Sequence, residues 1–543
     1  MTLRTDRLRV AIVGLGPKGL FALERLLGKA QPGARLSVDI FEPHPVPGAG
    51  PVYDPSQPDY LRMNFAAEAV DMWWRDGVST ERPTFVEWRR SRGGGDEPYP
   101  PRAEVGSYLS GGFARLKREA PEGVALRMRE IRVDAIGRVA SMWRIVDELG
   151  DADDFDEVLI ATGHVGGGQV FPVDRWLTRE RIAPGDVVAM RGFALTFLDA
   201  ALALTEGRGG RFEPAPGAGN DLRYLASGEE PRLILPFSRT GRPILPKPDP
   251  GLMGERPGLE AIALAGREAI AVLPEDLHLE ADLPPILAAS AAASLGELDA
   301  GGDESEREAF AWLATACHGS TPATTDSPAA EIRRSLGIGT GSRAPDVTWA
   351  LGHTWRTLYP AIVERFGGDG LSESEWPTFR RLAVQMERIA FGPPPINAAK
   401  LLALIEAGVV DPGWARETPV GRSGAARLGP HEVDRVVDAV LPEPGALGTA
   451  GPLPRLLADG HARVIPGRRG LEVDGEATCI GADGAPAQGL AAIGRPTEDC
   501  VIGNDTLNRE LHPQVDRWAR RVIGRGMDAP PAANVRAPVA WSL

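Results

Sequence analysis

The chain has 543 residues, 43% of them hydrophobic and 25% charged, with a formal net charge of -14. A chain of this length divides into two or three cores rather than one. Its acidic balance argues against an overall nucleic-acid-binding role, which is driven by basic surfaces.

The three cysteines, Cys317, Cys479 and Cys500, are scattered and form no C-x-x-C, which disfavours dithiol redox chemistry and structural zinc. No His/Asp/Glu cluster has ligand spacing, so no metal is expected. The N-terminus lacks signal-peptide organisation and no apolar run approaches a membrane span, so a cytoplasmic protein without a membrane partner is expected.

In chain order, Val10 to Val13 reads as a buried strand, and Leu20, Leu23, Leu26 and Leu27 follow at helical spacing. A second strand, LSVDIFE, ends at Glu42, and PHPVPGAGPVYDP is a Pro/Gly loop. VALRMREIRVDAI and VASMWRIVDEL read as antiparallel strands turning near Gly137. FDEVLIATGH is another buried strand, ending in a glycine turn. Val187 to Pro246 repeats the strand-helix-strand order, with PRLILPFSRTGRP as second strand and exit loop.

Between Gly251 and Leu457 the character is helical: REAFAWLATACHG, VTWALGHTWRTLYPAIVERF, TFRRLAVQMERIAF and NAAKLLALIEAG are separated by Pro/Gly breaks. Strand character returns in ARVIPG and GLAAIGRP, LNRELHPQVDRWARRVIGRG reads as a final helix, and the last residues read as a loose tail. The pattern predicts an α/β protein with two Rossmann-like, three-layer nucleotide-binding domains and a largely helical insert. The expected division is 1–175 completed by 458–543, then 176–250, then a substrate-side insert at 251–457.

Gly14-Leu15-Gly16-Pro17-Lys18-Gly19 is G-x-G-x-x-G after a strand and opening a helix, with Glu42 about 20 residues further on. Gly14 permits the tight turn, Gly16 admits a pyrophosphate close to the backbone, and Gly19 lets the helix pack on the strand. The helix N-terminus offers free N–H groups to phosphates, and Glu42 would accept from ribose hydroxyls. A bound dinucleotide is the reading, against a glycine-rich turn without ligand.

Two further features favour FAD. Thr162 and Gly163 belong to an ATG turn at the end of a strand that approaches the cofactor. Gly503-Asn504-Asp505, just before the final helix, would bring helix amides and a polar side chain to the ribityl-phosphate.

The stretches IVGLGPKGLFALERL, GAGPVYDPSQPDYLRMN, RAEVGSYL, LIATGH, SRTGRP and IGNDTLNRELHPQVDRWAR together resemble the bacterial FAD/NAD(P)-binding flavoproteins that include the nitrosuccinate-forming L-aspartate N-monooxygenases. More distantly they resemble the ornithine and lysine N-hydroxylases. The resemblance runs in order along nearly the whole chain. It implies reduction of FAD by NADPH, reaction with oxygen at the flavin C4a carbon, and transfer of an oxygen atom from that hydroperoxide to an amine nitrogen. It also implies that Gly14, Gly16, Gly19 and Glu42 hold the ADP half of FAD, and that Met63 and Asn64 lie near the isoalloxazine, where Asn64 hydrogen-bonds flavin or peroxide. Asn504, Asp505 and Leu507 would flank its other side. For Arg102, a cofactor phosphate and a carboxylate partner are equally good readings.

The same resemblance expects a second glycine-rich turn at Val187 to Asp199. Gly192 is present, Ala194 replaces the middle glycine and Phe197 the last, with Thr196 between them. Ala194 adds one methyl where the backbone should approach a pyrophosphate. Ser238, Arg239 and Arg242 follow the second strand of the unit, and no acid stands there. Arginine suits a 2'-phosphate because its planar fork donates two parallel hydrogen bonds, so NADPH is expected over NADH, against solvated surface arginines.

His164 and His512 are read as loop or turn residues, and His353 as core packing. Trp73 and Trp74 either wall the flavin or simply pack. Arg356, Arg380 and Arg388 are candidate anchors for a substrate carboxylate. The partners expected are a small amine or amino acid and molecular oxygen, with no nucleic acid; a homo-oligomer is compatible with the sequence but not specified by it. The competing functions are an FAD-dependent NAD(P)H oxidoreductase without oxygen insertion and a non-catalytic flavin-binding regulator.

Overall fold

The computed structural model describes residues 7–75, 82–163, 170–215, 221–253, 256–322, 326–421, 426–441 and 451–527. Its largest sheet has six strands in the order Thr478–Ile480, Pro486–Ala492, Glu157–Ile160, Leu8–Val13, Leu36–Phe41, Val124–Arg129. All pairings are parallel except the Thr478–Ile480 edge, which runs against its neighbour.

Successive side chains of a strand point to opposite faces, and here both faces are covered. Val10 and Ile12 pack among helices Pro17–Lys29, Arg102–Arg118 and Gln514–Met527. Ala11 and Val13 pack against an antiparallel sheet of Val133–Val139, Met142–Asp147 and Ala152–Phe155 through Ile136, Trp143 and Phe155. Burial on two sides is why the sequence of this strand is an unbroken apolar run rather than an alternation.

Two expectations shift here. VALRMR does not pair with the hairpin but becomes an edge strand of the parallel sheet, with Leu36 opposite Val124. Its half-exposed position gives it the same alternating pattern as a hairpin strand. The hairpin then turns at Ala140 (φ 54°), while Gly137 lies in the ladder opposite Arg144. The final helix is also shorter than expected, Gln514–Met527. Pro513 lacks an N–H and keeps His512 out of the helical region, so the helix cannot extend back through Leu507.

The second sheet has Val187–Arg191 in the middle, parallel to Leu233–Phe237 on one side and Arg435–Asp438 on the other. Helices Leu195–Leu204 and Pro395–Glu406 cover one face through Phe197, Leu198, Leu401 and Leu402. The hairpin Ala426–Leu428/His431–Val433 covers the other with Trp414. This is again three layers, so the α/β architecture with two Rossmann-like units holds.

Its third strand comes from residues 435–438, inside the span expected to be helical. The chain therefore leaves this sheet, builds the helical layer and returns. Helices Pro257–Ala271, Leu279–Glu297, Ser305–Cys317, Val347–Phe366 and Trp376–Ala390 share one core around Leu287, Trp355, Phe366 and Phe379. Ile502, from the segment that returns to the first domain, joins that core.

Candidate functional site

The two strand-helix turns are built alike. The Gly14 N–H donates to the Phe41 carbonyl at 2.8 Å, and the Gly192 N–H to the Phe237 carbonyl at 2.8 Å. Both glycines have positive φ, 95° and 115°, a region that costs other residues strain. Gly16 and Ala194 then stand as N-caps, both extended and neither with a side-chain cap. The first-turn amides of both helices are left to whatever sits in front of them.

The turns differ at the third position. A Cβ on Gly19 would lie 2.1 Å from the Gly14 carbonyl oxygen, so that helix packs as close as the chain allows. At the second turn Phe197 fills the equivalent place, buried and edge-on to Phe193 with ring centroids 5.2 Å apart. The second helix therefore sits over an aromatic wedge rather than directly against the turn. Ala194, at φ -120°, is an ordinary conformation for alanine. A Cβ on Gly16 meets nothing within 4 Å, so the cradle beside the first turn is open for a ligand backbone.

Glu42, 6% exposed, accepts from the Leu15 N–H at 2.6 Å and the His44 N–H at 2.8 Å. These bonds hold its carboxylate beside the glycine turn and leave acceptor capacity, since a carboxylate has about four lone-pair sites. Thr162 has a buried Oγ1 with no hydrogen-bond partner, and Asn504 a buried Oδ1 likewise. Buried polar atoms are nearly always paired, so these two orphaned oxygens, with the open cradle at Gly16, fit the polar edges of a bound FAD. Gly163 makes the positive-φ turn (65°) after Thr162. Pro17 opens the helix, and burial holds Lys18 down to about 8, opposed by Asp505.

A cavity of about 960 Å³ joins the second turn and loops of the first domain to the helical layer. Asn64, Asn504, Asp505 and Leu507 line it from the first domain; Gly192, Ala194, Thr196, Ser238 and Arg242 line it from the second. Arg356, Arg380 and Arg388 line it from the helices. Met63 is adjacent but buried in the first core, its N–H donating to the Pro100 carbonyl.

Asn504 and Asp505 do not precede a helix, because Gln514 starts it; they reach the cavity from a turn. Arg102 resolves toward the carboxylate reading: it meets buried Asp199 at 2.8 Å, on the second turn's helix. Arg242 bridges to Glu331 at 3.4 Å, and Arg388 meets the same carboxylate at 3.0 Å. Arg239 is exposed beside Ser238 at the end of the Leu233–Phe237 strand.

Trp73 and Trp74 pack rather than line the cavity, with Arg82 over the first ring and Arg25 over the second. His353 stacks on Trp349 with centroids 5.2 Å apart, and burial lowers it to about 4. His512 is likewise lowered to about 4, mainly by burial, its Nε2 3.1 Å from the Gly503 carbonyl oxygen. His164 lies outside the described residues, as does the C-terminal tail from 528. No group of three or more His, Cys, Asp or Glu that could hold a metal occurs among the described residues. No helix among them is long and apolar enough to cross a membrane.

Two cavity residues carried no sequence signal of their own. Lys247 follows the SRTGRP loop; its Nζ donates to the Asn64 carbonyl and lies 5.5 Å from the centre of the Phe391 ring. Burial, aided by the Arg356 charge, lowers it to about 7. Glu387 is on helix Trp376–Ala390, and burial raises it to about 7. The helical face at Trp376, Phe379/Arg380, Ala383/Val384, Glu387/Arg388 and Phe391 lines the cavity, a three-to-four spacing that could have marked them. Arg356 donates through Nη1 to the Ala390 carbonyl at 3.0 Å and leaves Nη2 without a partner; it is lowered to about 10 by burial.

Residues 11–165 match the family described as FAD-NAD(P)-binding, which defines the first domain's class. Beyond that class, the chain is similar to the nitrosuccinic acid synthase of Aspergillus oryzae, 34% identical over 44% of this chain and 41% of that protein. It thus spans less than half the length of that relative in the match. It is 27% identical to the nitrosuccinate-forming L-aspartate N-monooxygenase of Streptomyces cremeus across 86% of this chain and 85% of that protein. A protein of the same description from Streptomyces davaonensis is 29% identical over 43% of this chain and 44% of its own length. The resemblance read from the motifs is borne out.

Proposed function

We propose that the protein is an FAD- and NADPH-dependent monooxygenase that N-oxygenates a small amino acid, with L-aspartate as the substrate its relatives point to. The observation that carries this reading is the shared cavity: first-domain residues Asn64, Asn504, Asp505 and Leu507 and the second glycine turn line one space of about 960 Å³, whose far wall carries Lys247, Arg356 and Arg388. Bound there, FAD reduced by NADPH supplies the chemistry that activates oxygen.

The chain's residues do the rest. Gly14, Gly16, Pro17, Lys18 and Gly19 with Glu42 hold the ADP half of FAD. Thr162 and Gly163 follow its edge. Asn64, Asn504, Asp505 and Leu507 bracket the flavin end, with Met63 behind. Gly192, Ala194 and Thr196 take the NADPH pyrophosphate, and Ser238 with Arg239 its 2'-phosphate, Arg242 being partly committed to Glu331.

Residues 1–175 and the returning 458–543 hold FAD, 176–250 hold NADPH, and 251–457 mostly close the substrate side. Lys247 and Arg356, cationic and without a carboxylate partner among the described residues, receive the substrate carboxylates. Walls of Phe391, Tyr359 and Phe379 exclude water from the reacting nitrogen. The protein works in the cytoplasm, where its three buried thiols stay reduced.

The test is turnover of FAD-loaded protein with NADPH, air and L-aspartate, followed by mass spectrometry. An N-oxygenated product formed in proportion to NADPH consumed is expected. NADPH consumed entirely into hydrogen peroxide, with L-aspartate recovered unchanged, overturns the reading.

A further inference from the structure

Glu387 is a wall residue whose charge none of the roles above uses. The carboxyl faces the cavity from helix Trp376–Ala390 and makes no hydrogen bond or ion pair with any described residue. Its helical neighbour Arg388 turns away to Glu331 at 3.0 Å. Arg380, two helical turns earlier, lies 3.7 Å from Asp499, and Arg469 also binds Asp499, at 2.7 Å. Arg380 and Arg469 are thus engaged elsewhere, while Lys247 and Arg356, with no carboxylate partner among the described residues, donate to the Asn64 and Ala390 carbonyls.

The cavity is therefore polar in both senses: Lys247 and Arg356 line it, and so does the Glu387 carboxyl, which feels the charge of the flavin-flanking Asp505. Asn504, 3% exposed, lines the same cavity with its Oδ1 unpaired. A ligand that satisfies both signs carries a carboxylate and an ammonium.

We propose that Glu387 is the catalytic acceptor for the substrate's ammonium: it pairs with the charged amine on entry and takes one proton from nitrogen. The step is a proton transfer from R–NH3+ to the carboxylate, giving R–NH2 and the neutral acid. The freed lone pair is the electron pair that forms the nitrogen–oxygen bond. This rests on the reading of the protein as an amine N-oxygenase, because an ammonium has no lone pair to offer.

The groups facing Glu387 suit the task. Burial raises it to about 7, with Asp505 and Glu498 adding to the rise and Arg380 and Arg469 opposing it. Tyr359, on the helix packed opposite, is raised by burial and then by Glu387's own charge. An acceptor near neutrality is half ready to accept and able to pass its proton on, the optimum for proton transfer at neutral pH.

The test compares wild type, Glu387→Gln and Glu387→Asp, all FAD-loaded, with L-aspartate as the probe. Calorimetry in buffers of different ionisation enthalpy counts protons exchanged on binding. Pairing of the ammonium with Glu387 releases a proton, whereas pairing of a carboxylate with Lys247 takes one up. Glu387→Gln is expected to shift the count toward uptake, and Glu387→Asp to restore it in part.

In turnover, Glu387→Gln should lower N-oxygenation at pH 7 by about 100-fold while leaving anaerobic flavin reduction by NADPH unchanged. The defect should shrink as pH rises and the amine deprotonates in solution. Identical proton counts and pH profiles in wild type and Glu387→Gln overturn the proposal while leaving the oxygenase reading intact. Failure of wild type to bind or oxygenate L-aspartate overturns both.

Discussion

One methyl separates the two turns at their phosphate-facing position, and the residue scale shows how differently glycine matters at each place. At Gly19 an added Cβ lies 2.1 Å from a backbone oxygen, and backbone cannot step aside cheaply. Gly19→Ala should therefore destabilise the first domain by about 2 kcal/mol, within the usual overpacking range, read as a lowered Tm.

Gly16→Ala meets no protein atom within 4 Å, so its Tm should hold while FAD affinity falls, measured by fluorescence titration. If instead Gly16→Ala keeps full FAD affinity, the open cradle is not where the pyrophosphate lies. Arg239→Ala should raise the Michaelis constant for NADPH about tenfold and leave that for NADH alone, the size of one charged hydrogen bond; an unchanged NADPH value contradicts the 2'-phosphate assignment.

The two glycine turns, each ending a strand and opening a helix, were legible in sequence because their reasons are local. Lys247 and Glu387 were not. Their roles arise from burial and from neighbours more than 100 positions away in the chain, Asn64 for the first and Asp505 for the second.

Elements were legible where periodicity was long and punctuation clear. Helices Val347–Phe366 and Trp376–Ala390 fall where their apolar spacing placed them. The misplaced pieces are short and ambiguous. A four-residue strand such as Arg435–Asp438 has too few residues to show a period, and its partner strand is 247 residues earlier in register, Arg435 opposite Val188, a contact with no local trace. Val124–Arg129 was mistaken for a hairpin strand because an edge strand of a parallel sheet is wetted on one side just as a hairpin is.

Elements are also joined by charge. Arg102 at the start of one helix and Asp199 within another tie the first domain to the second at 2.8 Å. Burial holds Asp199 above its ordinary range despite the arginine. Arg102→Ala leaves that carboxyl buried alone and should cost about 3–5 kcal/mol, as measured by urea unfolding. The double replacement Arg102→Met/Asp199→Leu should recover most of it. A single-variant loss under 1 kcal/mol would mean the bridge does not hold the domains together.

At the scale of the whole molecule, the fold gathers three walls around one cavity, and the pH behaviour of substrate binding belongs to this scale. Lys247, lowered to about 7, carries its charge below that pH and loses it above. Affinity for a dicarboxylate that carries no ammonium for Glu387 should therefore weaken as pH rises through 7, and Lys247→Met should weaken its binding about tenfold at pH 6 while making that dependence shallower. Retention of the pH slope in Lys247→Met would place the titrating group elsewhere.

The two strand-turn-helix units could be read from the order of motifs along the chain, but the return of Arg435–Asp438 to the second sheet could not. Nor could the identity of the cavity's walls, because it depends on how the helical layer closes over the second turn and the first domain's loops.

The central claim is that these walls direct an oxygen atom from dioxygen onto an amine nitrogen. The most direct measurement is turnover of FAD-loaded protein with NADPH and L-aspartate under isotopically heavy oxygen gas, with mass spectrometry of the product. The account predicts that the oxygen on the product's nitrogen carries the heavy isotope and that NADPH consumption matches product. Heavy label found only in hydrogen peroxide, with the amino acid untouched, would contradict it.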